Sequence, residues 1–188
     1  DDTGLLWVYG RLDAGVARFV GQALDAAGAP LGAPFVVHSG DRSLGVPDVA
    51  WNGSEFVVVW HQLMSFIANG PPPLVFARRV RLDGTLLDPT PMQVMEGVLP
   101  VVDAVDGVFL IVAQYHHVVL QTNSVIRSRR LDGASGAFLG TAQLVHYGAT
   151  GPVDVVGLAD RWFVAWSRGT AAFVAGTRGA PPAFYAPP

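Results

Sequence analysis

The chain has 188 residues, of which 51% are hydrophobic and 14% are charged, so it carries enough apolar side chains for a packed core and does not have the composition of a disordered polypeptide. Its formal net charge is only −3 and its arginines are spread along the sequence, which argues against nucleic acid or an anionic membrane as a partner. No apolar run reaches the roughly 18 residues that a membrane helix needs, and the absence of cysteine excludes disulfides, thiolate metal sites and a cysteine nucleophile.

The predicted strands come in repeated pairs. A first apolar segment, residues 5–9, is followed by three longer units that each begin with proline and contain two apolar strands joined by a polar turn: residues 47–60, 100–113 and 152–166. Trp60, Ala113 and Trp166 occupy the same place in these units, at intervals of 53 residues. Another 53 residues back from Trp60 lies Trp7. The segment around Trp7 is therefore a fourth copy that lacks its first strand.

A third predicted strand in each copy ends in an Asp-Gly pair or a similar polar turn, at residues 76–85, 125–134 and, more weakly, 19–28. Asp-Gly turns close hairpins, so a fourth strand is predicted after each turn, at residues 33–37, 90–94 and 141–145. In the last copy, residues 172–178 form the predicted third strand, and residues 183–185 remain as the candidate for a fourth.

Four antiparallel strands that repeat at a period of about 50 residues are typical of the blade of a β-propeller, with the first strand nearest the axis and the fourth outermost. The sequence therefore predicts an all-β fold, a β-propeller of about four blades. It forms a single repeat domain, residues 1–188, with copies at approximately residues 1–43, 44–96, 97–149 and 150–188. Because the first copy lacks its innermost strand, we expect a partner chain or an upstream segment to complete the first blade.

The second copy carries the most regular motif. Residues 47–60 read PDVAWNGSEFVVVW, and an arginine-rich strand leads from there to the turn at Asp83 and Gly84. This pattern resembles the propeller-like repeats of secreted bacterial proteins, which read Pro-x-Val-Ala-x-x-Gly-x-x-Phe-Val-Val-Val-Trp followed by Arg-x-x-x-Asp-Gly. The third copy departs from it at Ala113, and the fourth copy departs from it after Trp166. The resemblance implies an extracellular or surface-associated repeat array, and it carries no catalytic residues that could be transferred.

The five histidines fall at one end of the predicted propeller, which we call the loop face. The loops after the second and the fourth strands lie on this face, because successive antiparallel strands reverse direction. His38 and His146 are predicted directly after a fourth strand. The other three, His61, His116 and His117, follow a second strand.

Three aspartates begin the inner strands at the same face. Asp48 and Asp154 are at equivalent positions, and Asp103 lies two residues further along on the same side of its strand. Imidazole and carboxylate groups that meet near an axis are ligands for a divalent metal such as zinc or copper. The alternative is that they accept local backbone hydrogen bonds at strand ends. The predicted metal ligands are His38, His116, His117, His146, Asp48 and Asp154, and no other cofactor is predicted.

Apolar residues in the loops after the second strands predict a ligand-binding face. The loop at residues 61–73 contains Met64, Phe66 and three consecutive prolines, and a similar loop follows at residues 114–123. If these side chains are exposed, they suit a protein or glycan partner; if they fold back, they plug the mouth of the channel. The predicted ligand-binding residues are His61, Met64, Phe66, Tyr115, His116 and His117.

The sequence contains no Gly-x-Ser-x-Gly elbow, no phosphate loop and no dinucleotide fingerprint. It therefore favours a non-catalytic extracellular binding or structural interaction module, secreted or at the cell surface. One alternative is a propeller-type, glycosidase-like hydrolase that uses Asp48, Asp103 or Asp154, because glycosidases work with pairs of carboxylates. A second alternative is a divalent-metal-binding protein that uses the histidine-bearing face.

Two periodic sets of side chains are predicted to be structural. Trp7, Trp60 and Trp166 recur at one place in the repeat, which favours packing between blades over stacking on sugar rings. The arginines of the third strands, Arg79 and Arg129 among them, alternate with apolar residues. They are predicted on the solvated side of the outer strands, where charge discourages edge pairing.

Overall fold

The computed structural model describes residues 4–40, 44–63, 70–116, 124–148, 151–168 and 171–178. These residues form fourteen β-strands, all paired antiparallel, in four separate sheets and without a helix. The prediction of an all-β fold is therefore confirmed. In this part of the chain there is no helix that could cross a membrane.

Each sheet consists of consecutive strands in chain order. Sheet 1 contains β1 (Leu5–Asp13), β2 (Val16–Leu24) and β3 (Phe35–Gly40). Sheet 2 contains β4 (Asp48–Trp51), β5 (Phe56–Gln62), β6 (Leu74–Val80) and β7 (Met92–Glu96). Sheet 3 contains β8 (Val98–Val105), β9 (Val108–His116), β10 (Ser124–Asp132) and β11 (Gln143–Tyr147). Sheet 4 contains β12 (Val153–Leu158), β13 (Arg161–Arg168) and β14 (Ala171–Arg178).

The strand registers repeat with the sequence. Asp48 lies opposite Val59 in sheet 2, and Asp154 lies opposite Ala165 in sheet 4. Sheet 1 starts with the second strand of the repeat, as the alignment of Trp7 with Trp60 predicted. Sheet 4 contains the first three strands of the repeat, and the predicted fourth strand at residues 183–185 lies outside the described residues.

The fourth strands, β3, β7 and β11, begin two residues later than predicted. Before each of them the chain makes an isolated bridge across the polar turn, such as Val80 with Leu86 in sheet 2. A bend, residues 87–91 in that sheet, then separates the bridge from the strand. His38 and His146 consequently lie inside the outermost strands β3 and β11, and not in the loops after them.

The sheets pack face to face in chain order. One apolar cluster joins sheets 1 and 2, a second joins sheets 2 and 3, and a third joins sheets 3 and 4. In β5, Val58 and Trp60 pack towards sheet 1, whereas Val57 and Val59 pack towards sheet 3. Because side chains alternate across a strand and both sides are covered, the second strands are continuous apolar runs. We call the side of a sheet that points to the sheet before it in the chain its predecessor face, and the opposite side its successor face.

The periodic tryptophans occupy the predecessor face. Trp60 is fully buried and Trp166 is 3% exposed, so the predicted packing between sheets is confirmed for these two. Trp7 is 58% exposed, and for this residue the prediction is wrong. The reason is that, among the described residues, no sheet packs on the predecessor face of sheet 1.

Candidate binding site on the loop face

A pocket opens at the loop face where the three described inner strands begin. The repeat prolines Pro47, Pro100 and Pro152 line a cavity of about 330 Å³. The other lining residues are Val46, Asp48, Leu99, Val101, Gln114 and Val153. The walls are therefore largely aliphatic, with one carboxylate and one amide.

Both polar side chains of the pocket already have partners in a neighbouring sheet. Gln114 is buried, and its Nε2 donates a hydrogen bond of 2.6 Å to the carbonyl oxygen of Gly151. The Oδ2 atom of Asp48 accepts a hydrogen bond of 2.9 Å from the N–H of Val102. Because Asp48 and Gln114 already form these hydrogen bonds, the surface that the pocket presents to a ligand is mainly apolar.

The aspartates of the inner strands connect neighbouring sheets. Asp48 in sheet 2 accepts from the backbone of sheet 3, and Oδ2 of Asp103 in sheet 3 accepts from the N–H of Gly157 in sheet 4 at 2.7 Å. The strands approach closely at Gly157, where a Cβ would lie 2.5 Å from the carbonyl oxygen of Ala104. Asp154 accepts from the N–H of Val155 next to it in the chain. Charge-assisted bonds of this kind are stronger than neutral ones, so Asp48 and Asp103 have a direct structural role.

The charges of Asp154 and Asp103 act on the carboxyl group of Asp48. Burial raises the pKa of the Asp48 carboxyl above its ordinary value, and the negative charges of Asp154 and Asp103 raise it further. Hydrogen bonds from the backbone of Val102 and Val49 act in the opposite direction without cancelling the effect. Asp48 is thus held in surroundings that disfavour its ionised form.

Leu99 lies at the mouth of the pocket in a strained backbone conformation. Its φ is +49°, a region that costs an L-residue about 1–2 kcal/mol. Ala14, Asp106 and Ala159 also have positive φ, but they lie in tight hairpin turns, where this conformation is usual. Leu99 instead lies where the pairing of β8 with β9 is interrupted between residues 98 and 101. Half of its surface, 50%, is exposed.

His61 supports this irregular segment from the neighbouring sheet. Its Nδ1 accepts a hydrogen bond of 3.2 Å from the N–H of Leu99, so the proton of the neutral ring is on Nε2. The ring packs so closely on Gly45 that a Cβ at that position would collide with it. Burial lowers the pKa of His61 below its ordinary value. The predicted ligand-binding residue His61 is therefore buried beneath the mouth of the pocket.

Protonation of His61 removes the acceptor for Leu99, and this predicts a pH dependence of stability. Because the pKa of His61 is lower in the folded than in the unfolded chain, its contribution is complete above about pH 6.5 and is lost as the pH falls. We expect wild type to lose more free energy of unfolding than His61→Asn between about pH 7.5 and about pH 5.5, since asparagine keeps an acceptor that does not titrate. Denaturant titrations at both pH values measure the difference.

His146 provides the internal control for this comparison. Burial and the charge of Arg168 lower its pKa, so it too removes stability at low pH, but it is present in both proteins. The difference between the two pH profiles therefore reports His61 alone. Parallel profiles would contradict the prediction.

His38 and His146 have equivalent positions in two different sheet boundaries. His38 of β3 stacks on Trp60 with 4.9 Å between ring centroids, and His146 of β11 packs on Trp166 at 4.9 Å. They are thus parts of the packing between sheets: His38 lies at the boundary of sheets 1 and 2, and His146 lies at the boundary of sheets 3 and 4. Among the described residues no three His, Asp or Glu side chains group in a way that could hold a metal ion.

The remaining predicted ligand-binding residues lie around β9 and in the loops. Tyr115 is half-buried on β9, and the guanidinium carbon of Arg127 lies 4.4 Å from the centre of its ring. His116 is the last residue of that strand. Met64, Phe66 and His117 lie outside the described residues.

The prediction of solvated arginines is wrong for Arg79. Arg79 is buried and forms an ion pair of 2.8 Å with Asp88. Its Nη1 donates to the carbonyl oxygens of Gly133 and Ala134 in the turn after β10 of sheet 3. The half-buried Arg129 donates from Nη1 to the carbonyl oxygen of Val94 in sheet 2 at 2.6 Å. These arginines join the outer edges of neighbouring sheets, as the aspartates join the inner strands.

Comparison with known proteins shows a likeness of fold. No protein-family model and no curated protein matches this chain. The GH43_1 enzyme from Xanthomonas citri is similar at 13% identity over 94% of this chain and 71% of that one, with a TM-score of 0.51 in its complex with xylotriose and 0.50 in its complex with xylose. An apocarotenoid oxygenase mutant from Synechocystis has a TM-score of 0.52 at 9% identity, over 92% of this chain and 44% of that one. These likenesses support a propeller-like fold.

Proposed function

We propose that the chain is a non-catalytic, extracellular binding module in which the four sheets are four blades of a propeller-like arrangement. The pocket on its loop face takes an apolar group of a protein partner. One observation carries the proposal, namely the strained and exposed Leu99 at the mouth of an aliphatic pocket. Strain persists only where the surroundings enforce it, and it clusters at binding sites. Here the enforcing contact is the hydrogen bond from Leu99 to the buried His61.

The chemistry of the pocket favours an aliphatic or aromatic side chain over a sugar. Val46, which is 72% exposed, and Leu99 flank the pocket with apolar surface that water covers poorly. No aromatic side chain is among the lining residues that the structure describes, although aromatic rings are what sugars stack on. The two polar groups of the lining are already bonded to backbone, so few donors and acceptors remain to orient hydroxyl groups.

A selection from a random displayed peptide library, followed by calorimetry with a selected synthetic peptide, tests the proposal. We expect selected peptides to share an apolar anchor residue and to lose binding when that residue is replaced by serine. Xylose and xylotriose, the ligands of the structurally similar enzyme, serve as the glycan arm. Binding of xylotriose without binding of any selected peptide would contradict the proposed partner class. A matched control is Leu144→Asp, on the outer strand of sheet 3 and away from the pocket.

Leu99→Gly separates binding from stability. Glycine adopts positive φ without steric cost, but it loses about 0.5–1 kcal/mol through greater freedom of the unfolded chain, so we expect the free energy of unfolding to change by less than about 1 kcal/mol. The apolar surface at the mouth is lost, and peptide affinity should fall by about tenfold or more. Denaturant titration and calorimetry measure the two quantities. A variant that binds the peptide as tightly as wild type would exclude Leu99 from the site.

A glycosidase-like hydrolase is the second candidate. The raised pKa of Asp48 beside two further carboxylates is the direction that a general acid needs, and the fold is similar to that of a GH43_1 enzyme. The hydrogen bonds of the carboxylates argue against this candidate, because Asp48 and Asp103 each accept a hydrogen bond from a backbone N–H of the next sheet. Groups that hold the inner strands together are less able to reach a glycosidic oxygen and a water.

A further inference from the structure

All three internal boundaries between sheets combine the same two half-surfaces. The predecessor face contributes two positions of the second strand, filled by Val58 and Trp60, by Ile111 and Ala113, and by Val164 and Trp166 in the three successive sheets. Each of these six side chains is at most 3% exposed. The successor faces of sheets 2 and 3 contribute Val57 and Val59, or Leu110 and Val112, which are equally buried. On sheet 1 the corresponding positions are Gly4 and Leu6, and Leu6 is 8% exposed. The repeat thus uses one interface three times.

Sheet 1 presents the first half of this interface, and no described residues of another sheet cover it. Leu5 and Trp7 hold the positions of Val58 and Trp60, because both pairs lie 53 residues apart in the repeat. They are 54% and 58% exposed. Trp7 packs against Tyr9 with tilted rings at 4.8 Å between centroids, which places two aromatic rings side by side on this face.

Sheet 4 presents the second half. Phe163 and Ala165 hold the positions of Val57 and Val59, as their pairing with β12 shows. They are half-buried where their equivalents have no exposure. Val156 and Val174 on the same face are 45% and 58% exposed. No apolar cluster and no strand pairing joins sheet 4 to sheet 1 within the described ranges.

We propose that the predecessor face of sheet 1 docks on the successor face of sheet 4 of a second copy of this chain. At each internal boundary the position equivalent to Trp7 is covered by an apolar successor face of the same repeat. We therefore expect a surface of this kind to cover Trp7. Sheet 4 is the described sheet whose successor face is uncovered, so one copy supplies what the next one lacks. Such a contact is heterologous, since two different surfaces meet, and it produces a closed ring or an open chain of copies according to its rotation. It does not depend on the function proposed for the loop face.

Light scattering coupled to size exclusion, from low micromolar concentration to the solubility limit, is the first test. We expect wild type to associate with rising concentration, and Trp7→Asp and Val174→Asp each to weaken association by about tenfold or more. Both residues are exposed, so the folded chain should tolerate either change. The control is Tyr147→Asp, an equally exposed residue on β11 that belongs to neither face, and it should associate like wild type. A monomeric wild type over the whole range would overturn the proposal.

Mixing the two variants tests whether the contact is heterologous. The Trp7→Asp chain keeps an intact sheet 4, and the Val174→Asp chain keeps an intact sheet 1, so the mixture should form pairs that neither variant forms alone. If the mixture stays monomeric while wild type associates, the two faces do not meet and the proposal is wrong.

The absence of native cysteine permits a direct measurement of proximity. Chains carrying Trp7→Cys and chains carrying Val174→Cys are mixed and treated with a short bifunctional thiol crosslinker. We expect a crosslinked dimer from this mixture, and much less from Tyr147→Cys mixed with Val174→Cys. Equal yields from both mixtures would show random collision and would contradict the proposed docking.

Discussion

Trp60→Ala should lower the free energy of unfolding by about 3–5 kcal/mol, the usual loss for a large aromatic side chain removed from a core. Trp60 is fully buried at the boundary of sheets 1 and 2, where it packs against Phe19, His38 and Phe76. The surrounding strands belong to two sheets and cannot collapse into the space, so a cavity remains. Denaturant titration measures the loss. It is monitored by far-ultraviolet circular dichroism, because tryptophan fluorescence changes when Trp60 is removed.

Trp7→Ala is the matched control for this prediction. It removes the same side chain from the equivalent repeat position, but Trp7 is 58% exposed, and we expect a loss below about 1 kcal/mol. The comparison is made at low protein concentration, where the proposed second copy is not bound. Equal losses at the two positions would mean that the periodic tryptophans do not differ in burial, and would contradict the order of the sheets described above.

Arg79→Met should cost about 3–5 kcal/mol, because it removes the ion-pair partner of the buried Asp88 carboxylate. The variant also loses the bonds from Arg79 to the carbonyl oxygens of Gly133 and Ala134, which join sheets 2 and 3. Arg161→Met is the control, since Arg161 pairs with Asp160 at the surface and surface pairs contribute about 0–1 kcal/mol. Denaturant titrations of the three proteins give the losses.

The double variant Arg79→Met, Asp88→Asn identifies the cause. Asparagine removes the buried charge and keeps an acceptor for the backbone N–H of Arg79, which now donates to Oδ2 of Asp88. We expect the double variant to be more stable than Arg79→Met alone, because the buried carboxylate that lost its ion-pair partner is gone. A double variant that is less stable than the single one would show that the bonds to sheet 3, and not the unpaired carboxylate, account for the loss.

The repeat itself could be predicted from the sequence, for a physical reason. Sheets that are covered on both sides need apolar residues at every position of the second strand, so PDVAWNGSEFVVVW and its copies are recognisable without the structure. The sequence alignment of the two units that end at Trp60 and Trp166 also holds for the strand pairing, since Asp48 lies opposite Val59 and Asp154 lies opposite Ala165. The beginnings of the fourth strands could not be predicted, because the bend before each strand leaves no regular pattern in the sequence.

The packing role of His38 and His146 could have been predicted by comparing the repeat copies within the chain. Each lies in the fourth strand of the sheet that precedes a tryptophan, Trp60 or Trp166. The fourth strand of sheet 2, which precedes Ala113, has no histidine. A histidine therefore accompanies a tryptophan at this repeat position of the following sheet, which indicates ring packing and not metal ligation.

The details of the candidate site could not be predicted. The bond between His61 and Leu99 and the bonds of Arg79 with Gly133 join residues 38 and 54 positions apart on different sheets. Such contacts depend on the angle and distance at which neighbouring sheets pack. The alternation of apolar and polar residues along a strand does not specify these quantities. The positive φ of Leu99 could not be predicted either, because the residue is neither glycine nor asparagine, the types that usually adopt this conformation. Single irregular contacts of this kind are expected at functional positions, where local sequence rules fail.

The most direct test of a non-catalytic function is a turnover assay of wild type and Asp48→Asn with chromogenic xylosides, other chromogenic glycosides and esters. Because Asp48 and Asp103 accept backbone hydrogen bonds between the inner strands, we predict that neither protein hydrolyses any substrate above the buffer blank. Hydrolysis by wild type that disappears in a folded Asp48→Asn variant would contradict this account and establish the glycosidase-like alternative.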